Sequence, residues 1–350
     1  MKHQITTINI PIMSKRNKRL GLLIILSLMV LYFIGPQVDK PEFSEELPVI
    51  RMNLTEMEDS LNQSEAYTTH LKPDNQARIV WADSTKKEKT AVAIVYLHGF
   101  TASQEEGNPV HRMFAEKFGC NMYLARLNYH GRSGENQLQF MTPEGLYEDA
   151  KMAIAIGKTL GDEVIVMSTS TGGTLAIYYA SNHHDLKAII NYSPNIRIKQ
   201  KASYLLDKPW GFQLARFSYG GKYKIDECDD YDNKYWGCKT RLEAVIELQA
   251  LVDNTMQKET FKQVTTPSFT GGYYKDKKHQ DPTVSAKAIK WMHDNLGTDE
   301  NMKRLVAFPD AGTHVIANGV KSGAWQKVFN ETEKFAIEVL EMAPVDTLGQ

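Results

Sequence analysis

The chain has 350 residues, 42% hydrophobic and 24% charged; this suits a globular protein with ample core material and excludes disordered, collagen-like and multispan membrane classes. Forty-one lysines and arginines against forty-two acidic residues leave a formal charge of -1, so no overall positive field exists to hold a phosphate backbone, and nucleic acid is not an expected partner. The three cysteines, Cys120, Cys228 and Cys238, are too few for a disulfide scaffold and lack the C-x-x-C spacing of zinc or dithiol sites.

Residues 1–35 read as an export segment. Lys15, Arg16, Lys18 and Arg19 precede Leu20 to Ile34 (LGLLIILSLMVLYFI), fifteen residues without a charge, and a basic flank before an apolar run is what export machinery reads. At its helical rise the run spans about 22 Å against a hydrocarbon core of ~30 Å, between a signal h-region and a transmembrane helix. The following GPQVDKPEF has no small-x-small cleavage pattern and puts Pro36 where a peptidase needs an accessible bond. That favours an uncleaved signal-anchor in the membrane over a cleaved signal and secretion. The basic end then stays cytoplasmic and the rest faces the periplasm or the cell exterior. Met13 opens a compact basic stretch, MSKRNKRL, and is an alternative start. In an oxidising compartment Cys228 and Cys238, which close a short loop, are candidates for a disulfide, the alternative being two unpaired loop cysteines. Cys120 reads as a buried thiol.

Residues 36–74 are acidic and proline-spotted at first, with no long apolar period, and read as a stalk with one short helix. Residues 75–345 follow a different pattern: short apolar runs alternate with amphipathic segments, as a mostly parallel sheet wrapped by helices on both faces requires. Strands are expected at 77–81, 92–97, 122–127, 164–167, 188–192, 268–273 and 305–308. Runs such as AVAIVYL, apolar at nearly every position, mark strands buried on both faces. Helices are expected at 109–118, 143–160, 171–181, 284–295 and 325–340, with Pro109 and Pro143 at first-turn positions where a missing N–H costs nothing. Residues 195–265 break the alternation and read as a cap inserted between two strands. Its aromatics Trp210, Phe212, Phe217, Tyr219 and Trp236 are expected mostly to pack the core or cap, with several as candidates to line an apolar pocket.

The sharpest local pattern is VIVMSTSTGGTLAIYYA. A buried strand runs into Ser168-Thr169-Ser170-Thr171-Gly172-Gly173 and a helix follows at once, the context of a nucleophile elbow with Ser170 at its tip. The usual pattern is G-x-S-x-G; Ser168 stands at the first glycine. Upstream, a buried strand ends in His98-Gly99-Phe100, the place from which a loop offers a backbone N–H to a developing oxyanion. Downstream, Gly312-Thr313-His314 ends a strand before the last long helix, where a histidine can take and return the serine proton. The acid is expected between them: Asp281, ahead of an amphipathic helix, or Asp276 as the alternative acid, nearer the strand end. His183-His184 reads as surface, and His279 lacks the third ligand that a metal site would need.

Together these pieces resemble the α/β-hydrolase fold, and within it the serine esterase, lipase and monoacylglycerol-lipase-like branch, over about residues 75–340. The resemblance implies Ser170 as nucleophile, His314 as base, Asp281 as orienting acid, Phe100 and Thr171 as oxyanion-hole donors, and no metal or organic cofactor. The loop RLNYHGRSGE, with Gly131, Ser133 and Gly134, resembles the family's loop beside the substrate entrance. The expected activity is hydrolysis of a carboxylic ester, a small molecule with an apolar acyl or lipid-like group, through an acyl-enzyme. A peptidase or amidase of the same fold, and a non-catalytic binding protein on it, are the alternatives.

Overall fold

The computed structural model describes residues 15–345; Met13 lies outside them. The first helix, α1 (Lys15–Phe33), begins with the basic cluster and exposes its apolar residues from Leu20 onward. No helix among the described residues is long and apolar enough to cross a membrane. The expected transmembrane anchor is therefore not met: the basic residues take up the start of α1, and the uncharged remainder falls short of a bilayer core.

The segment read as a stalk does not stand free. Lys151 donates to the carbonyls of Ser44 and Glu46 at 2.8 and 2.7 Å, and Phe43 packs against Tyr147 and Tyr178. Helix α2 (Leu54–Ala66) starts at a capping box in which Asn53 and Glu56 satisfy each other's backbone N–H groups. It is fixed to the body by a buried pair, Arg126 to Glu65 at 2.7 Å.

Seven strands form the main sheet: β1 (Arg78–Val80), β2 (Thr90–Leu97), β3 (Asn121–Leu124), β4 (Gly161–Thr169), β5 (Ala188–Tyr192), β8 (Ser268–Gly272) and β9 (Lys303–Ala307), with β6 (Tyr223–Ile225) and β7 (Lys239–Arg241) making a separate ribbon. The spatial order is β1-β3-β2-β4-β5-β8-β9. Only β1 in that sheet runs antiparallel to its neighbour. The continuous apolar run of β2 feeds both faces by strand alternation. Ala93, Val95 and Leu97 enter the core that also holds residues of α4 (Pro143–Leu160) and α5 (Thr171–Asn182); Val92, Ile94 and Tyr96 enter the core shared with α3 (Val110–Lys117) and α11 (Trp325–Glu338). Helices on both faces match the expected architecture.

The excursion between β5 and β8 holds α6 (Gly211–Ser218), the β6-β7 ribbon with α7 (Asp230–Tyr235), α8 (Leu242–Thr255) and α9 (Lys258–Gln263). Its second half differs from a cap. Leu248, Leu251, Val252 and Phe261 join the core beside α4 and α5, because α8 is apolar over most of its circumference, with a narrow polar stripe at Glu243, Glu247 and Asn254, and must bury the rest. Cys228 and Cys238 are disulfide-bonded across α7, and Cys120 is a buried free thiol. Helix α10 (Ala286–His293) completes the described helices. The third strand ends at Leu124, three residues early, because Leu127 leaves the sheet and gives its N–H to His98 Nε2 at 3.0 Å.

Candidate active site

Three parallel strands bring their C-terminal ends to one edge, and the sequence-selected residues lie on the loops that leave them. Ser170 joins β4 to α5 with φ 54° and ψ -116°, a conformation that a residue with a Cβ adopts only when its surroundings force it. They do so here: the Ser170 N–H is held by the Tyr192 carbonyl at 3.0 Å, and its carbonyl receives the N–H groups of Gly173 and Asn195, each at 2.9 Å. A Cβ on Gly172 would stand 2.0 Å from the Leu97 carbonyl oxygen, so only glycine lets α5 come this close to the end of β2. Ser168 fills the position where the usual pattern has glycine, and its hydroxyl donates to Asn191 Oδ1 at 2.7 Å inside the sheet.

His314 precedes α11 in a loop behind Gly312, which takes a φ of 67°. Its Nδ1 meets Asp281 Oδ2 at 2.8 Å. The other oxygen of Asp281 accepts the Thr283 and Val284 N–H groups at 2.8 and 2.9 Å. Burial pushes the Asp281 carboxyl up, but His314 and these donors outweigh it and hold the group below the usual carboxylate range. Burial likewise pushes the His314 imidazole down, and the carboxyl groups of Asp281 and Glu106 more than reverse this, leaving it above its ordinary value. His314 Nε2 is buried without a hydrogen-bond partner, and it and the Ser170 hydroxyl make no bond to each other. A serine-histidine contact of this kind is often long before substrate arrives.

Asp276 lies elsewhere. It is exposed, and its Oδ1 takes the N–H groups of Lys278 and His279 at 2.7 and 2.9 Å while its carboxyl pairs with the His279 ring. Of the two acids, the structure brings Asp281 to His314. No group of three or more His, Cys, Asp or Glu residues among the described residues is arranged to hold a metal ion.

Thr171 follows Ser170 in sequence, and Phe100 follows Gly99, where an added Cβ would lie 2.9 Å from Ser170 Cβ. Thr171 opens α5, where the first N–H groups have no intrahelical acceptor. Phe100 sits behind Gly99, whose carbonyl meets His98 Nδ1 at 2.9 Å. Phe100 packs on a buried cluster of Ala215, Leu242 and Val245, on which Leu206 and Phe212 also pack. Among the singled-out cap aromatics only Phe212 reaches this cluster. Trp210 instead donates from Nε1 to the Leu31 carbonyl at 3.0 Å, Trp236 stacks near Tyr231, and Phe217 is 89% exposed. In the loop resembling the entrance loop, Gly131 and Gly134 take φ of 69° and 115°, and Ser133 donates to the His70 carbonyl. His183, expected at the surface, stacks on Tyr179 instead.

Sequence reading does not single out Glu106. This carboxyl is buried at the same loop edge, accepts the Gly99 N–H at 2.6 Å, and lies against the space beside Ser170. Nothing in QEEG distinguishes it from the neighbouring Glu105, because its burial comes from elements distant in sequence.

With this geometry in hand, the likenesses to known proteins gain meaning. Residues 88–226 match the family described as "Serine aminopeptidase, S33". A thermostable monoacylglycerol lipase of Bacillus sp. (strain H-257) is 24% identical over 204 residues, 58% of this chain and 76% of that protein. Among solved structures, one from a study of two metagenome-derived lipolytic enzymes, LipS and LipT, superposes with a TM-score of 0.58 at 15% identity, covering 76% of this chain and 98% of that one. A soluble variant of monoglyceride lipase from Saccharomyces cerevisiae gives 0.56 at 14% identity, over 74% and 90%. Paleococcus ferrophilus monoacylglycerol lipase gives 0.54 at 12% identity, over 76% and 98%.

Proposed function

From the premise that the chain has the α/β-hydrolase fold and resembles its lipases and esterases, we propose that it is a serine hydrolase cleaving carboxylic esters, with Ser170 as nucleophile. The observation that carries this reading is the pairing of a strained Ser170, held at φ 54° on a strand-to-helix turn, with a His314–Asp281 bond of 2.8 Å on neighbouring loops. In this reading Ser170 attacks the ester carbonyl while His314 Nε2 takes its proton. The N–H groups of Phe100 and Thr171 face the oxyanion, and the alcohol leaves with the proton from His314. Water, deprotonated by the same imidazole, then releases the acid. Asp281 keeps the proton on Nδ1, so that Nε2 is the free base.

The apolar cluster on which Phe100, Leu206 and Phe212 pack supports an apolar acyl group, in keeping with the monoacylglycerol lipase among the relatives. The S33 aminopeptidase likeness favours a second reading, amide or peptide cleavage by the same residues, since both reactions pass through an acyl-enzyme. Fluorophosphonate labelling tests the common core. The folded chain should label and Ser170→Ala should not; a folded chain that takes no label is a binding protein instead. A series of p-nitrophenyl esters run beside peptide p-nitroanilides then separates ester from amide preference.

A further inference from the structure

Glu106 sits in a short helical turn after β2 and is 2% exposed. Among the described residues its carboxyl receives one hydrogen bond, from the Gly99 N–H to Oε2, and joins no ion pair. A Cβ built on Gly99 would lie 2.9 Å from Glu106 Oε1 and 2.9 Å from Ser170 Cβ, so the carboxyl and the serine face one small space. His314 is near enough that each group shifts the other's titration. The other titratable group that feels Glu106 is Tyr96 on β2, whose hydroxyl bonds to Thr169; His111 on α3 stacks on Tyr96, and its Nε2 meets the Gln104 carbonyl. Burial holds both of them neutral. A carboxylate removed from water and held by a single hydrogen bond retains its proton more readily than an exposed one, and here burial outweighs the opposing pull of His314.

We propose that Glu106 belongs to the reaction centre as a neutral acid, its Oε1 proton directed at the pocket in which the substrate's carbonyl oxygen becomes negative. The proposal rests on the serine-hydrolase reading above. Because Oε2 accepts from Gly99, the proton resides on Oε1, and the acid adds a third donor to the two backbone N–H groups. When Glu106 ionises, the donor is lost and a negative charge stands against the developing oxyanion. An acid kept neutral by apolar surroundings so that it can donate is an established catalytic device. Burial pushes this carboxyl up to about 7, with His314 and the Gly99 N–H pulling the other way, so the change falls in the neutral range. Below it Glu106 is protonated and competent. Above it the rate falls, while the acid side of the profile belongs to His314 and Asp281.

The test is the pH dependence of kcat/KM for a neutral p-nitrophenyl ester and of the fluorophosphonate labelling rate, in the wild type and in Glu106→Gln. Glutamine keeps an acceptor for Gly99 and an N–H donor but has no proton to lose. The wild type should lose about tenfold per pH unit above the transition, and Glu106→Gln should remain active and stay flat there. A wild type without this alkaline fall overturns the proposal, and so does a Glu106→Gln variant that keeps the fall or slows equally at every pH. If Glu106→Gln does not fold, the infrared carbonyl band of a buried neutral acid in the wild type takes its place: it should vanish over the same pH range as activity, and its absence overturns the proposal. A folded wild type that labels at no pH defeats the hydrolase reading itself, whereas labelling with the wrong pH profile defeats only the role of Glu106.

Discussion

Asp276 and Asp281 lie five positions apart on one loop and meet opposite surroundings. The first is exposed and closes a turn with His279; the second is buried, and its two oxygens divide between His314 and the N–H groups ahead of α10. Replacing Asp281 with Asn should therefore lower kcat/KM by about 10³–10⁴-fold, while Asp276→Asn stays within roughly a factor of two, as exposed substitutions do. The sign of the accompanying pH change follows from the charge. The Asp281 anion raises the His314 imidazole, so its removal lowers that value, and the acid limb of the residual activity should move to lower pH. Steady-state profiles of both variants measure this; equal losses would reject the assignment of the acid. Ser170 and His314 are legible in the sequence because each follows an apolar strand and has diagnostic neighbours within a few positions, whereas chain order narrows the acid only to Asp281 or Asp276, two residues whose surroundings the sequence does not separate. Glu106 is not legible, since its environment is built by Gly99, Tyr96 and His314, brought together only by folding.

At the scale of elements, the strand-to-helix turn depends on two small residues that act differently. Gly172 is required for clearance: its Cβ would meet the Leu97 backbone, and backbone cannot swing aside as a side chain can. Gly172→Ala should cost about 1–3 kcal/mol or more by overpacking, lowering Tm on the order of 5 °C, and it should depress the labelling of Ser170. Ser168 departs from the usual glycine for a reason the linear pattern does not carry. Its hydroxyl satisfies Asn191 on the adjacent strand, so Ser168→Gly, which would restore the common motif, should destabilise by about 1–3 kcal/mol because Asn191 loses a buried partner. Thermal melts of the two variants check the pair. Sheet strands and their helices are readable from alternation and apolar runs alone. The role of α8 is not: its apolar residues are equally compatible with a separate cap and with the main core, and the contact with α4 and α5 decides.

For the whole molecule, the basic residues before the apolar run and the bonded Cys228 and Cys238 support an outward location, which we propose on the grounds that disulfides persist in oxidising compartments. Non-reducing peptide mapping of protein from its native source should find these two cysteines linked and Cys120 free. Three free thiols would argue for a reducing compartment. The bonded loop belongs to the excursion over the sheet edge, which is also tied at Gly237 by an N–H to the Thr101 carbonyl at 2.8 Å. Phe100 gives this attachment its larger meaning. Its side chain packs on the cluster of Ala215, Leu242 and Val245 that Leu206 and Phe212 also border, and its peptide nitrogen is the proposed oxyanion donor. On the proposed reading, the surface that would select a substrate and the atom that would accelerate its reaction are parts of one residue. Evolution or engineering that reshapes Leu206 or Phe212 to admit a different acyl group will shift turnover together with affinity, so changes of specificity in this protein should rarely come without changes in speed.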